Sequence, residues 1–144
     1  MKELTAEVTI NADAEKIWKV FSDFTNYPSW NPFIRSVSGK VQAGQKITVV
    51  LHQPGMNPMT IKPEVLTFKP NRELRWIGHL FFTGLFDGEH SFELIQNDDG
   101  TTTFLQKEIF RGILVSLFRK MLDHNTRNGF ELMNGKLKEY VERA

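Results

Sequence analysis

The chain has 144 residues, with 18 basic and 17 acidic side chains, 12 phenylalanines, 3 tryptophans and no cysteine. That length suits one domain, 1–144, able to bury roughly two-thirds of the surface its unfolded form exposes. Balanced charge with no basic block among aromatics argues against nucleic acid, and the lack of cysteine removes disulfides, thiolate chemistry and cysteine-bound metals.

Leu4, Ala6, Val8 and Ile10 alternate with Thr5, Glu7 and Thr9, the period of a half-buried strand. Asn11 or Asp13 can cap the next element. There Ala14, Ile17, Trp18 and Phe21 form the buried side of a short amphipathic helix, with Lys16 and Lys19 outside. The stretch Asp23 to Pro32 holds two prolines and no sustained period, which predicts one helical turn and a loop pinned by Tyr27 and Trp30. Those aromatics either plug a core edge or line a pocket mouth.

Six strands are predicted next, at about 33–39, 45–52, 59–69, 72–80, 87–97 and 101–111. Glycines 39 and 44, Pro54 to Pro58, Pro70-Asn71 and Asp98-Asp99-Gly100 mark turns between them. Pro63 inside the 59–69 strand implies an edge position or a bulge. Short turns between successive strands imply an antiparallel meander.

A helix is predicted from about Leu114 to Arg143, roughly 40 Å long at ~1.5 Å per residue. Phe118, Leu122, Gly129, Met133, Leu137 and Tyr140 make one stripe, and Lys120, His124, Arg127, Glu131, Lys138 and Glu142 the solvated side. Asn125 and Gly129 are unexpected on an apolar stripe. They mark either a satisfied amide and a close backbone contact, or the wall of a cavity.

With these elements, Asp23, Tyr27, Pro28, Trp30-Asn31-Pro32, Gly88-Glu89-His90-Ser91-Phe92 and Glu108-Ile109-Phe110-Arg111-Gly112 resemble the START-like superfamily, also called Bet v 1-like or SRPBCC. The likeness is greatest to its bacterial polyketide cyclase/dehydrase-like group and spans essentially the whole chain. It implies an α+β helix-grip fold, in which a curved seven-stranded antiparallel sheet wraps the C-terminal helix and two short helices follow the first strand. It also implies a ligand cavity between sheet and helix. It does not settle chemistry, because the group includes ligand binders, lipid carriers and cyclases.

The last hairpin allows a register argument. A three-residue loop with Gly100 left-handed places Leu94 opposite Phe104, Phe92 opposite Gln106, and His90 opposite Glu108. The apolar members mark that face as inward, so His90 and Glu108 become cross-strand neighbours facing the helix. They are a structural pair or the polar anchors of a pocket. In the preceding hairpin, Leu74 and Trp76 share parity with Leu66 and Phe68, which turns Trp76 inward.

On the cavity reading, Trp76, Phe92, Gln106 and Phe110 line it from the sheet. Phe118, Leu122, Asn125, Gly129 and Met133 line it from the helix, with Trp30 at the mouth. The apolar connection Phe81 to Phe86 either folds back onto the core or borders an opening, whose rim Met56, Met59, Leu114, Val115 and Leu117 would complete. The histidines at 52, 79, 90 and 124 show no metal-ligand spacing, and there is no nucleophile elbow, phosphate loop or dinucleotide fingerprint.

The expected role is binding of a hydrophobic small molecule, lipid- or polyketide-like, without cofactor or metal. One alternative is a cyclase or dehydratase using His90 with Glu108. Another is a protein-interaction module with an incidental cavity. Met1 leads into a charged segment with no hydrophobic signal core, and no apolar run approaches ~18 residues, so a cytoplasmic location is expected.

Overall fold

The opening alternation folds as β1 (Lys2–Ile10), in a computed structural model that describes residues 1–80 and 82–143. Asp13 then caps α1 (Ala14–Phe21) by accepting the Lys16 N–H at 2.8 Å. As expected, α1 buries Ala14, Ile17, Trp18 and Phe21. A 3-10 turn (Phe24–Asn26) and the short α2 (Tyr27–Trp30) follow. Three hydrogen bonds help hold this irregular stretch: the Tyr27 hydroxyl donates to the Phe21 carbonyl at 2.5 Å, and Asn31 Oδ1 accepts the N–H groups of Phe33 and Ile34.

Among the described residues, eight strands form two antiparallel sheets rather than seven in one. β2 (Ile34–Ser38), β3 (Thr48–Leu51) and β4 (Met59–Ile61) make the small sheet, in that order. The larger sheet runs β1, β8 (Thr102–Arg111), β7 (Phe86–Gln96), β6 (Glu73–Leu80), β5 (Glu64–Lys69). Pro63 is the physical reason for the split. It cannot donate to a ladder, and it falls between β4 and β5, where the predicted 59–69 strand leaves one sheet and joins the edge of the other. An isolated bridge from Lys46 to Glu64 links the two.

The last hairpin adopts the expected register, with Leu94 facing Phe104, Phe92 facing Gln106 and His90 facing Glu108. Gly100 is left-handed, at φ 88°, as the loop requires. The β5–β6 pairing differs from expectation at one residue. A bulge between Val65 and Thr67 places Val65, fully buried, opposite Trp76 and turns Leu66 outward. Trp76 itself faces inward as expected.

The C-terminal rod starts later than Leu114 and is not uniform. It comprises α3 (Arg119–Met121), a π-helical turn (Leu122–Thr126) and α4 (Arg127–Arg143). The π turn adds a residue to the repeat, so Thr126, Phe130, Asn134 and Val141 join Leu122, Gly129, Met133 and Leu137 on the buried face. Phe118 and Tyr140 are only half-buried.

α4 lies along β1, the free edge of the large sheet. Arg127 Nη1 donates to the Thr5 carbonyl at 3.1 Å, Lys138 Nζ to the Thr9 carbonyl at 2.7 Å, and Asn11 N–H to Glu142 Oε2 at 2.8 Å. Helix and strand therefore advance together, each by about 20 Å over that span. Arg127 and Lys138 are thus not merely solvated: they occupy carbonyls of an edge strand that would otherwise be open to pairing.

Between rod and sheet lies one apolar core. Phe21 is its hub, with ring centroids 5.4 Å from Trp18, 5.2 Å from Phe92 and 5.5 Å from Phe104, all tilted. Such pairs contribute ~0.5–1.5 kcal/mol each beyond the area they bury. Among the described residues, no helix is long and apolar enough to cross a membrane.

Candidate functional site

The inner face of β6, β7 and β8 carries a polar chain through this aromatic core. Strand alternation puts Gly88, His90 and Phe92 on one side of β7, and pairing sets Trp76 against His90 and Gln106 against Phe92. His90 is 3 % exposed and boxed by rings: Phe92 stacks on it at 4.1 Å and 16°, Phe130 sits at 4.8 Å, and Trp76 meets it edge-on at 5.8 Å.

Gln106 and Asn134 set the proton positions. The His90 Nε2–H donates to Gln106 Oε1 at 2.9 Å, because that oxygen can only accept. Gln106 Nε2 donates in turn to Asn134 Oδ1 at 2.8 Å and to the Phe130 carbonyl at 3.2 Å. In neutral imidazole the lone pair then falls on Nδ1, which lies 3.4 Å from Glu108 Oε1. Burial pushes His90 down to about 3, against the opposing pull of the Gln106 hydrogen bond, so neutral imidazole is its form near neutral pH.

Glu108 mirrors it. Burial pushes its carboxyl up to about 8, so at pH 7 it is mainly the protonated acid, able to donate to His90 Nδ1. Its second oxygen, Oε2, rests over Gly88, where any Cβ would collide with it, beside the Phe110 ring. Gly88 thus makes the seat for the carboxyl, which keeps 16 % of its side-chain surface open. The strand glycine was a signal for this close approach.

The remaining candidates divide. Trp76, Phe92, Gln106 and Phe110 share the inner face, and Leu122 and Met133 are buried on the rod. Phe118 packs edge-on against Phe86 at 5.5 Å, and Phe86 against Phe110 at 5.8 Å. Gly129 is not beside a cavity. A Cβ there would lie 2.5 Å from Phe33 Cδ1, so glycine is present to let that ring lie on the helix. Asn125 is the satisfied amide of the two alternatives: its Nδ2 donates to the Pro54 carbonyl at 2.6 Å and pins the β3–β4 turn. Trp30 packs on Tyr27 at 5.2 Å and Tyr140 at 6.2 Å, plugging the α2 side of the core. Phe33, Phe130 and Asn134 complete the arrangement but do not stand out in the sequence as site residues.

Concavities also open elsewhere among the described residues. A cleft of about 350 Å³ lies under the β3–β4 turn, lined by Leu51, Gln53, Gly55, Met56, Asn57 and Met59. It adjoins the π turn, where the Thr126 hydroxyl donates to Gln53 Oε1 at 3.1 Å. A wider, polar groove of about 730 Å³ lies outside, between the start of α1 and the β5–β6 turn. The cleft takes in Met56 and Met59, the two methionines expected at a rim, and the groove takes in no residue expected at a site.

The apolar connection behaves in both expected ways. Phe86 folds back onto Phe110 and Phe118, Val115 is buried, and Leu114 is half-buried. Phe82, Leu117, Met56 and Met59 are exposed, while Phe81 lies outside the described residues.

The sequence profile described as polyketide cyclase / dehydrase and lipid transport matches residues 1–142. The chain belongs to that family. The family's fold recurs in solved structures across 98 or 99 % of this chain. A protein from Mesorhizobium loti has 18 % identity and a TM-score of 0.74, with 98 % of its own length covered. A START superfamily protein from Mycobacterium smegmatis has 19 % identity and a TM-score of 0.71, with 97 % covered. A point mutant of norcoclaurine synthase from Thalictrum, in complex with a transition-state analogue, has 14 % identity and a TM-score of 0.72, with 94 % covered. At such identities the likeness is of fold alone. No curated protein matches the chain by sequence.

Proposed function

We propose that this member of the polyketide cyclase/dehydrase and lipid transport family encloses a hydrophobic small molecule, lipid- or polyketide-like, between sheet and rod without turning it over. Glu108 carries the reading: it is a carboxyl kept neutral near pH 7, seated on Gly88 and still partly open. A protonated acid donates one strong hydrogen bond without placing a charge in an apolar site. That suits the carbonyl or hydroxyl end of a mostly apolar ligand. Asn134 Nδ2 is a second buried donor with no partner among the described residues.

In this reading Trp76, Phe92 and Phe110 cover the ligand from the sheet, and Phe118, Leu122 and Met133 from the rod. The cleft of about 350 Å³ beside the π turn is the way in, within the usual size range of small-molecule sites. Uptake then shifts the π turn.

One observation favours a second reading, a cyclase or dehydratase. Burial displaces His90 and Glu108 in opposite directions, leaving an unprotonated base beside a protonated acid near neutral pH.

Native mass spectrometry of protein purified from its own host tests both. The binding reading expects a co-purified apolar ligand whose mass stays constant on incubation and whose occupancy falls about tenfold in Glu108→Gln. A ligand that loses water or isomerises with wild-type protein, but not with His90→Ala, would establish the enzyme reading instead.

A further inference from the structure

Two neighbouring loops at the rod's start are joined through their backbones. The Ile113 and Leu114 N–H groups donate to the Gly84 and Leu85 carbonyls at 3.3 and 3.1 Å. Gly112, at φ 126°, allows this approach, since a Cβ there would collide with the Leu85 carbonyl. The paired loops present three large apolar side chains to solvent: Ile113 is 77 % exposed, Leu117 72 % and Phe82 64 %. Backbone pairing of this kind holds the chain in place while leaving those side chains outside.

The charged side chains of the segment that carries Ile113 and Leu117 have one sign. Arg111, Arg119 and Lys120 are all exposed, and none makes an ion pair among the described residues. Between residues 109 and 122 no acidic side chain occurs. Two acids close by in the fold or the chain are already engaged. Asp87 accepts the Gly84 N–H at 2.9 Å and pairs with His79 at 2.8 Å, and Asp123 pairs with Lys2 at 2.5 Å. Asp123 also lies in the field of Arg119 and Arg127, which hold its carboxyl further below the usual range.

We propose that this end of the molecule docks on an anionic lipid surface, with Phe82, Ile113 and Leu117 inserted among the lipids and Arg111, Arg119 and Lys120 at the headgroups. Apolar side chains ringed by cations match a membrane interface, which offers an acyl boundary beneath negative phosphates. A second copy of the chain fits worse. A two-fold contact centred on Ile113 and Leu117 would bring the two basic rings together and repel. The proposal does not rest on the ligand reading above and goes beyond it.

Co-sedimentation with vesicles tests it, using phosphatidylcholine alone and phosphatidylcholine containing phosphatidylglycerol. The wild-type protein is expected to pellet with the anionic vesicles, to be released by raised salt, and to remain in solution with the neutral ones. Ile113→Ser with Leu117→Ser, and separately Arg119→Gln with Lys120→Gln, should each lower binding by roughly tenfold while unfolding midpoints stay unchanged. Equal binding to both vesicle types, no binding to either, or wild-type binding by both double variants overturns the proposal. So does a wild-type dimer that Ile113→Ser with Leu117→Ser converts to monomer. Glu108→Gln, which tests the ligand reading, should pellet as wild type does, so the two proposals can fail separately.

Discussion

At the residue scale, Glu108 and His90 give the protein a pH profile whose sign can be worked out. Between 4.5 and about 8, folded Glu108 holds a proton that the unfolded chain has released, so stability falls as pH rises through that window. Between about 3 and 6.5, unfolded His90 holds a proton that the folded chain refuses, so stability rises with pH there. The two slopes cancel between 4.5 and 6.5, which leaves a plateau and an alkaline limb from 6.5 to about 8. That limb is on the order of 2 kcal/mol for this one group. Unfolding midpoints followed by circular dichroism across this range should show it, and Glu108→Gln should flatten it. An alkaline decline that survives in Glu108→Gln would assign it to another group. The pairing of the two residues is legible in the sequence, because Asp98-Asp99-Gly100 sets the register. Their protonation is not, since it depends on Phe130 and Asn134 arriving from the rod.

At the element scale, the rod is where the sequence pattern and the structure differ most. A single helical stripe predicts Gly129 and Asn125 side by side with Leu122 and Met133. The π turn at Leu122–Thr126 instead gives each a separate partner, Phe33 for Gly129 and the Pro54 carbonyl for Asn125. Gly129→Leu should therefore overpack the Phe33 contact and cost on the order of 1–3 kcal/mol. A urea midpoint that drops with an unchanged slope is the expected result. A variant as stable as wild type, with its ligand uptake blocked, would instead mean there is open space at that position. Turns separate differently from the rod: the last hairpin is set locally by Gly100, whereas the bulge at Leu66 has no turn residue to announce it. It became visible only once β5 had paired with β6.

At the scale of the whole molecule, the α+β grip turns one tryptophan toward the space between sheet and rod, where the proposed ligand would be sensed. Trp76 is 3 % exposed and lies edge-on to Phe92 at 5.2 Å, within the wall that also holds His90. Trp18 packs on Phe21 and Phe68, and Trp30 on Tyr27 and Tyr140, both toward the α1 and α2 side. Titration with a neutral apolar dye such as Nile red should change tryptophan emission, and Trp76→Phe should remove most of that change. A signal that persists in full in Trp76→Phe would place the dye near Trp30 instead.

Period-two alternation in β1, the capped apolar face of α1 and the glycine- and proline-marked turns were enough, by themselves, to determine the order of elements and the register of the last hairpin. Those features act over a few residues, through backbone sterics and side-chain direction, so they are written locally. The division into two sheets was half-written: Pro63 forces a break, but which edge each half joins depends on β3 and β6 lying where they do. The neutral His90–Glu108 pair, the seat on Gly88 and the contact of Phe33 with Gly129 were decided by tertiary structure alone. Each requires groups at least eighteen residues apart to meet where burial strips most of the solvent, or where a missing Cβ lets one atom rest on another. Desolvation and steric fit of that kind belong to the assembled core, because no single segment contains both partners.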